Sequence, residues 1–271
     1  MNELILILGG TGKTGRRIAR RLEARGVPIR IGSRTGTLPF DWNRPETWPA
    51  VLEDVGAVYV AYPPDLAAPS AEGHLRAFGV LAAQRGVEHV VLLSGRGEEG
   101  AVRAECALAE SGVPCTVLRA AWFAQNFSEG QLLEGVRAGV IALPAGEAAE
   151  PFVDVDDVAD VAVAALLEPR HRGRTYALTG PRLLTFSEAV SHVAAASKRP
   201  VTYQAITKES FEATLYGFVP NADAAFFAEL FAQLLDGHNA HLDDGVQQVL
   251  GRPPRDFADV VRRAADDGAW A

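Results

Sequence analysis

Apolar and polar positions along this chain follow two rhythms, one of strands and one of helices. Leu4-Ile5-Leu6-Ile7-Leu8 is an unbroken apolar run, the pattern of a parallel strand buried on both faces. Behind it Thr14, Ile18 and Leu22 recur at helical spacing, and Gly26 with Pro28 ends that helix. Pro28–Gly32 predicts a short second strand, with Ile29 and Ile31 alternating around Arg30. Phe40-Asp41-Trp42 predicts the end of a short third strand, Glu46–Leu52 a short helix, and Ala57–Ala61 a fourth strand. A helix over Ala71–Arg85, stopped by Gly86, leads into a fifth strand, His89–Leu93. A helix over Ala101–Ser111, with Val102, Cys106 and Ala109 as its apolar stripe, precedes a sixth, Cys115–Arg119.

This alternation predicts an α/β fold with a doubly wound parallel sheet, whose ligands lie outside the carboxyl ends of the strands. Beyond residue 128 the rhythm loosens. Pro151–Val155 predicts a strand, and Asp156 an N-cap for a helix ending near Glu168. Tyr176–Leu178 and Val201–Gln204 predict short strands flanking a helix over Phe186–Ala196, and the chain from Lys208 onward reads as mostly helical. The expected division is a nucleotide-binding domain over 1–150 and a smaller, mainly helical lobe over 151–271, with chain segments partly interleaved.

The first strand runs into Gly9-Gly10-Thr11-Gly12-Lys13-Thr14-Gly15. Strand, glycine turn and helix in that order aim backbone N–H groups and a positive helix end at one point, which suits a pyrophosphate. Gly12-Lys13-Thr14 also looks like the end of a nucleotide-hydrolase phosphate loop. That loop needs a glycine five residues before Gly12, where this chain has Ile7. An NAD site places an acid about 20 residues past the turn, on the ribose hydroxyls. Here no Asp or Glu lies between Pro28 and Phe40, and Ser33, Arg34 and Thr35 offer donors for a 2′-phosphate instead. The expected cofactor is NADP(H), preferred over NAD(H).

Composition narrows the partners. The 271 residues are 48% hydrophobic with a net charge of −8, enough for a sizeable core and unsuited to nucleic acid. Arg16, Arg17, Arg20 and Arg21 read as a solvated helix face. Two cysteines, Cys106 and Cys115, define no disulfide framework. Met1 leads almost directly into the first strand, and no apolar stretch approaches membrane-spanning length, so a soluble cytoplasmic protein acting on a small molecule is expected.

Short-chain dehydrogenases protonate a carbonyl with a Tyr four residues before a Lys. Neither Lys13, Lys198 nor Lys208 follows a Tyr at that distance, and the helix that should carry the pair has Arg103, Glu105 and Glu110. Ser94, at the end of the fifth strand, is the one candidate catalytic residue, and it reads equally well as a nicotinamide contact or a turn cap. His238 and His241 lack a carboxylate at matching spacing, and Asp154, Asp156 and Asp157 are explained as helix caps, so no metal is expected. Trp122, Phe123 and Phe127 fit either a core or the walls of a pocket.

Gly9–Gly15, Phe40-Asp41-Trp42, Leu93-Ser94 and Leu118–Phe127 together resemble the NmrA-like atypical short-chain dehydrogenases/reductases, as do Phe152–Ala159 and Leu250–Phe257. The motifs are most similar to those of the ergot-alkaloid reductases of the festuclavine and agroclavine dehydrogenase type, and the likeness spans nearly the whole chain. It departs at Ala120, where Pro is common. The resemblance implies a Rossmann domain with a small C-terminal α/β substrate lobe, and NADPH-dependent reduction of iminium ions, triphenylmethane dyes or quinones. The family also contains regulators that bind the dinucleotide, do no chemistry and act through a protein partner. On the enzyme reading, pyrophosphate meets Gly9, Gly10, Thr11, Gly12, Lys13, Thr14 and Gly15, and the 2′-phosphate meets Ser33 and Arg34. Adenine lies near Asp41 and Trp42, and nicotinamide near Tyr62, Ser94, Gly95, Ala120, Ala121 and Trp122. Trp122, Phe123, Asn126 and Phe127 then line the substrate pocket.

Overall fold

The computed structural model describes residues 4–216 and 219–271. In chain order the first elements are β1 (Leu4–Leu8), α1 (Lys13–Glu23), β2 (Ile29–Gly32), α2 (Trp48–Val51) and β3 (Val55–Val60). They are followed by α3 (Ala71–Gln84), β4 (His89–Gly95), α4 (Glu99–Ala109) and β5 (Cys115–Ala120). The middle of the chain forms α5 (Asn126–Glu129), α6 (Leu133–Ala138), β6 (Val140–Leu143), β7 (Ala149–Glu150), α7 (Val155–Leu167) and β8 (Thr175–Leu178). The last elements are β9 (Leu184–Thr185), α8 (Phe186–Ser197), β10 (Thr202–Ala205), α9 (Lys208–Leu215), α10 (Asn221–Leu234), α11 (Gly245–Leu250) and α12 (Phe257–Asp266).

Two compact units interleave along the chain. The first takes the residues up to Ala120, Val155–Leu178 and Asp244–Pro253. The second takes Ala121–Asp154, Thr179–Asp243 and Pro254–Ala271.

The first unit is built on a six-stranded, all-parallel sheet in the order β2-β1-β3-β4-β5-β8. The chain passes from β1 to β2 on one side and then crosses to β3 on the other, so the switch in strand order falls at β1 and β3. In open α/β sheets a switch point of this kind is where ligands bind, outside the carboxyl ends of the strands. The central strands are buried on both faces, which explains the unbroken apolar runs in their sequence.

Three expectations about the elements themselves are corrected. The third strand does not form. Ser33 makes one isolated bridge to Pro39, and proline has no N–H to continue a ladder. Phe40 and Trp42 turn inward instead, with ring centroids 4.9 Å apart, and pack with Trp48 and Phe78. Pro151–Val155 is not a strand either. Only Val153 bridges, to Phe123, and Val155 already begins α7, which puts Asp156 in the first helical turn. The buried face of α4 is Ala101, Ala104, Glu105 and Leu108, while Val102 is 38% exposed and Cys106 and Ala109 face water. That small-residue face lets α4 lie against α3, where a Cβ on Gly79 would come within 2.3 Å of Ser111 Oγ just past the end of α4.

The arginines of α1 are more than a solvated face. Arg21 donates to Asp156 and Asp160 of α7, both at 2.7 Å, and Arg17 lies 3.4 Å from Asp156. Nor are the aspartates simple caps. Asp157 is fully buried and paired with Arg252 at 2.7 Å. In the second unit Asp154, also fully buried, accepts from Gln125 Nε2 at 2.6 Å and Arg263 at 2.5 Å. That unit pairs β6 with β10 and β7 with β9 around a core of Phe127, Phe152, Phe186 and Phe257.

Candidate active site

The glycine turn forms a cradle at the start of α1. Gly9 takes φ +80°, Gly12 N–H donates to Gly9 O at 2.9 Å, and a Cβ on Gly15 would sit 2.2 Å from that same oxygen. Only glycine fits this contact between turn and helix. Gly12 occupies the N-cap without a side-chain cap, and the first turn of α1 carries no acid. Its first N–H groups therefore have no intrahelical acceptor, and the positive end of the helix is not neutralised. Burial, then the charges of Arg16 and Arg17, hold the Lys13 ammonium below the usual lysine range. Such crowding of positive charge is relieved by a bound anion. The residues present therefore fit a pyrophosphate.

Thr14 faces the other way. Its Oγ1 accepts from Tyr59 Oη at 2.8 Å in the buried layer between α1 and the sheet, so its side chain locks the helix and offers no phosphate contact. At the end of β2, Ser33 is half-buried and Arg34 exposed. The loop folds back through Phe40 N–H onto Ser33 O at 2.9 Å.

The aromatic residues expected around the cofactor point inward. Trp42 is 6% exposed within its aromatic cluster. Tyr62 is 8% exposed, and its hydroxyl bonds Ser70 Oγ at 3.0 Å and His74 Nδ1 at 2.7 Å. Asp41 Oδ1 accepts from Asn43 N–H, a local turn bond.

Ser94 and Gly95 close β4. Ser94 Oγ donates to Glu105 Oε1 at 2.5 Å, and Arg119 of β5 donates to both oxygens of the same carboxylate, through Nε at 3.0 and 3.1 Å and through Nη2 at 2.5 Å. Glu105 holds the Arg119 guanidinium above its ordinary range. Ser94 is thus a buried donor engaged by a charged acceptor, which removes it as a hydroxyl acid for substrate. Its network ties α4 to the ends of β4 and β5. Arg96 N–H then donates to Ala120 O at 3.1 Å, joining the loop beyond β4 to the last residue of β5.

In the second unit Ala121 is buried, and Trp122 is half-buried with Phe186 and Phe231 edge-on at 5.3 and 5.0 Å. Phe123 is half-buried and pairs through its backbone with Val153. Phe127, expected as a pocket wall, is fully buried against Phe152 and Phe257 and belongs to the core. Asn126 is 7% exposed. Trp122 and Phe123 retain accessible surface. Among the described residues, no three His, Cys, Asp or Glu side chains are grouped to hold a metal, and no helix is long and apolar enough to cross a membrane.

No family model matches the chain. Whole proteins do. The chain is 33% identical over 282 residues to agroclavine dehydrogenase of Claviceps fusiformis, covering 95% of this chain and 96% of that protein. It is 31% identical over 288 residues to the NAD(P)H azoreductase of Xenophilus azovorans, covering 97% and 98%. The chain belongs to the NmrA-like atypical short-chain dehydrogenase/reductase family. It is an NAD(P)H-dependent reductase. The fold is shared with a Citrobacter sp. triphenylmethane reductase crystallised with NADP(H), at a TM-score of 0.75 and 21% identity over 96% of this chain and 99% of that one.

Proposed function

We propose that this reductase uses NADPH in preference to NADH and reduces small electron-poor acceptors: iminium ions, azo compounds, activated C=C bonds or quinones. The observation that carries this reading is the set of engaged hydroxyls. Ser94 donates to Glu105, Tyr59 to Thr14, and Tyr62 is held by Ser70 and His74. Among the described residues no hydroxyl of the Tyr–Lys type stands ready to support an alkoxide, which favours acceptors that are cationic or strongly electron-poor. The azoreductase activity in the name of one relative agrees with such an acceptor.

When bound, the reduced nicotinamide supplies a hydride. The chain's own part is binding and orientation. Backbone N–H groups in the first turn of α1 would hold the pyrophosphate, and Arg34 with Ser33 would hold the 2′-phosphate. The accessible faces of Trp122 and Phe123 suit a flat or cationic acceptor.

Two measurements test the reading. Titrated with both dinucleotides, the wild type is expected to bind NADPH more tightly, and Arg34→Ala to lose about 1.5–3 kcal/mol of that preference, one to two decades. Equal affinity in the wild type would overturn the NADPH assignment. With 4-deuterated NADPH, a panel of cyclic iminium, azo and quinone acceptors is expected to yield at least one deuterated product. Tight NADPH binding without oxidation by any of them would refute the enzymatic reading of these acceptors and turn attention to a dinucleotide-dependent protein partner.

A further inference from the structure

The backbone just beyond β5 is fixed before any side chain is considered. Val153 N–H donates to Trp122 O and Ala124 N–H to Val153 O, both at 2.9 Å, so a bridge within the second unit holds this stretch. Trp122 follows the last residue of β5 by two positions, and ligands of such sheets bind outside the carboxyl ends of the strands. Only the side-chain torsions of its indole are left to settle.

Two phenylalanines settle them. Phe186, the first residue of α8, meets Trp122 at 5.3 Å and 89°, and Phe231 of α10 meets it at 5.0 Å and 77°. Both are edge-to-face pairs at favourable separation. They differ in what stands behind them. Phe186 is fully buried and edge-on to Phe152 at 5.2 Å, and the capping box of Thr185 and Glu188 fixes the start of its helix. Phe231 is only half-buried, and behind it the ring of Phe211 from α9 stacks at 5.0 Å and 23°. One side of the clamp belongs to the core and the other to the α9–α10 pair. Of the four tryptophans, Trp42, Trp48 and Trp270 are buried, and Trp122 is the half-buried one.

We propose that Phe231 is a positioning residue: it locks the Trp122 ring, and the locked ring selects acceptors with an extended flat π system over compact ones. This rests on the reading above that Trp122 meets the acceptor. A ring that is already ordered loses no rotamer freedom when an acceptor stacks on it, and the gain from stacking grows with the apolar area covered. A two-ring acceptor therefore gains more from the ordered indole than a one-ring acceptor does. The stack is present in the ground state and the transition state alike, so it acts on KM and leaves kcat unchanged. Phe211 acts one step further back, through Phe231.

The first measurement needs neither dinucleotide nor acceptor. The anisotropy decay of Trp122, obtained for each protein by subtracting its Trp122→Phe counterpart, is expected to show the wild-type ring turning only with the whole molecule. Phe231→Leu keeps apolar bulk and removes the edge, and a fast component in the picosecond-to-nanosecond range of free rotamer changes is expected to appear. Phe231→Tyr retains the ring and is expected to abolish that component. A Trp122 ring equally immobile in Phe231→Leu would overturn the clamp. The second measurement compares 2-methyl-1,4-naphthoquinone with 2-methyl-1,4-benzoquinone under saturating NADPH, two acceptors of one class that differ by a fused ring. Phe231→Leu is expected to raise KM for the two-ring quinone about 2–10-fold, the size of one aromatic pair, with KM for the one-ring quinone and both kcat values unchanged. Phe231→Tyr is expected to restore the wild-type KM. Equal losses on both quinones, or a loss confined to kcat, would overturn the selection. If the wild type reduces neither quinone, that acceptor reading fails and the selection with it, while the anisotropy decay still decides the clamp.

Discussion

Gly15→Ala is expected to abolish dinucleotide binding at concentrations that saturate the wild type. The new Cβ would sit 2.2 Å from Gly9 O, 2.7 Å from Gly10 Cα and 2.8 Å from Gly9 C, all backbone atoms that cannot rotate away. Gly9 cannot yield, because it is held at φ +80° with a Cβ position already 3.1 Å from Ala61. The turn must therefore open, and the N–H groups at the start of α1 lose their common aim. Each charge-assisted phosphate contact contributes roughly 1.5–3 kcal/mol, so losing two costs about two to four decades of affinity. Overpacking adds about 1–3 kcal/mol of lost stability. Gly73→Ala is the matched control, since that glycine lies within α3 with open space around it. It is expected to stabilise by roughly 0.5–1 kcal/mol and to leave binding intact. Calorimetric titration of both variants reads the difference, and undiminished NADPH affinity in Gly15→Ala would remove this turn from the site.

The glycine turn was legible because its rules are local. A strand, a run of glycines and a helix define the backbone path without knowledge of anything distant. What pairs with what across the sheet was less so. Tyr176–Leu178 reads as a strand in isolation, yet the place of β8 beside β5 as the sixth strand of the main sheet depends on contacts far away in sequence. The stripe of α4 failed for a different reason. Val102, Cys106 and Ala109 share one helical face as regularly as Ala101, Ala104, Glu105 and Leu108 share another, and hydrophobicity favours the first. The ion pair with Arg119 and the bond from Ser94 make the second face the buried one.

The same default hid the burial of Glu98, since a glutamate in a polar loop reads as solvated. The available signal was Ser94-Gly95-Arg96-Gly97-Glu98-Glu99-Gly100, where glycines on both sides of an acid leave room for it to fold inward. Trp42, Tyr62 and Phe127 show the converse. Aromatic residues near a site are as often its foundation as its surface.

Arg119→Met is expected to destabilise the protein more than any change at the exposed ion pairs. Glu105 is 6% exposed, and Arg119 supplies three of its hydrogen bonds, with Ser94 donating the fourth. Methionine retains much of the apolar stem and removes the charge, which leaves a buried carboxylate with one neutral donor. Stranding a buried charge costs about 3–5 kcal/mol. The side chain of Arg119 keeps 35% of its surface, so water screens part of the pair and the lower end applies, roughly 3 kcal/mol. For a chain of this size that corresponds to a fall in Tm of roughly 6–12 °C. Removing the charge from both partners relieves most of it. In Arg119→Met with Glu105→Gln, the amide oxygen still accepts from Ser94, no unpaired charge is left at this site, and stability is expected to recover to within about 1 kcal/mol of wild type. Glu105→Gln alone, with Arg119 free to turn toward water, is expected to fall between the two. A double variant no more stable than Arg119→Met would show that packing of the guanidinium, and not its charge on Glu105, is what holds the ends of β4 and β5 together.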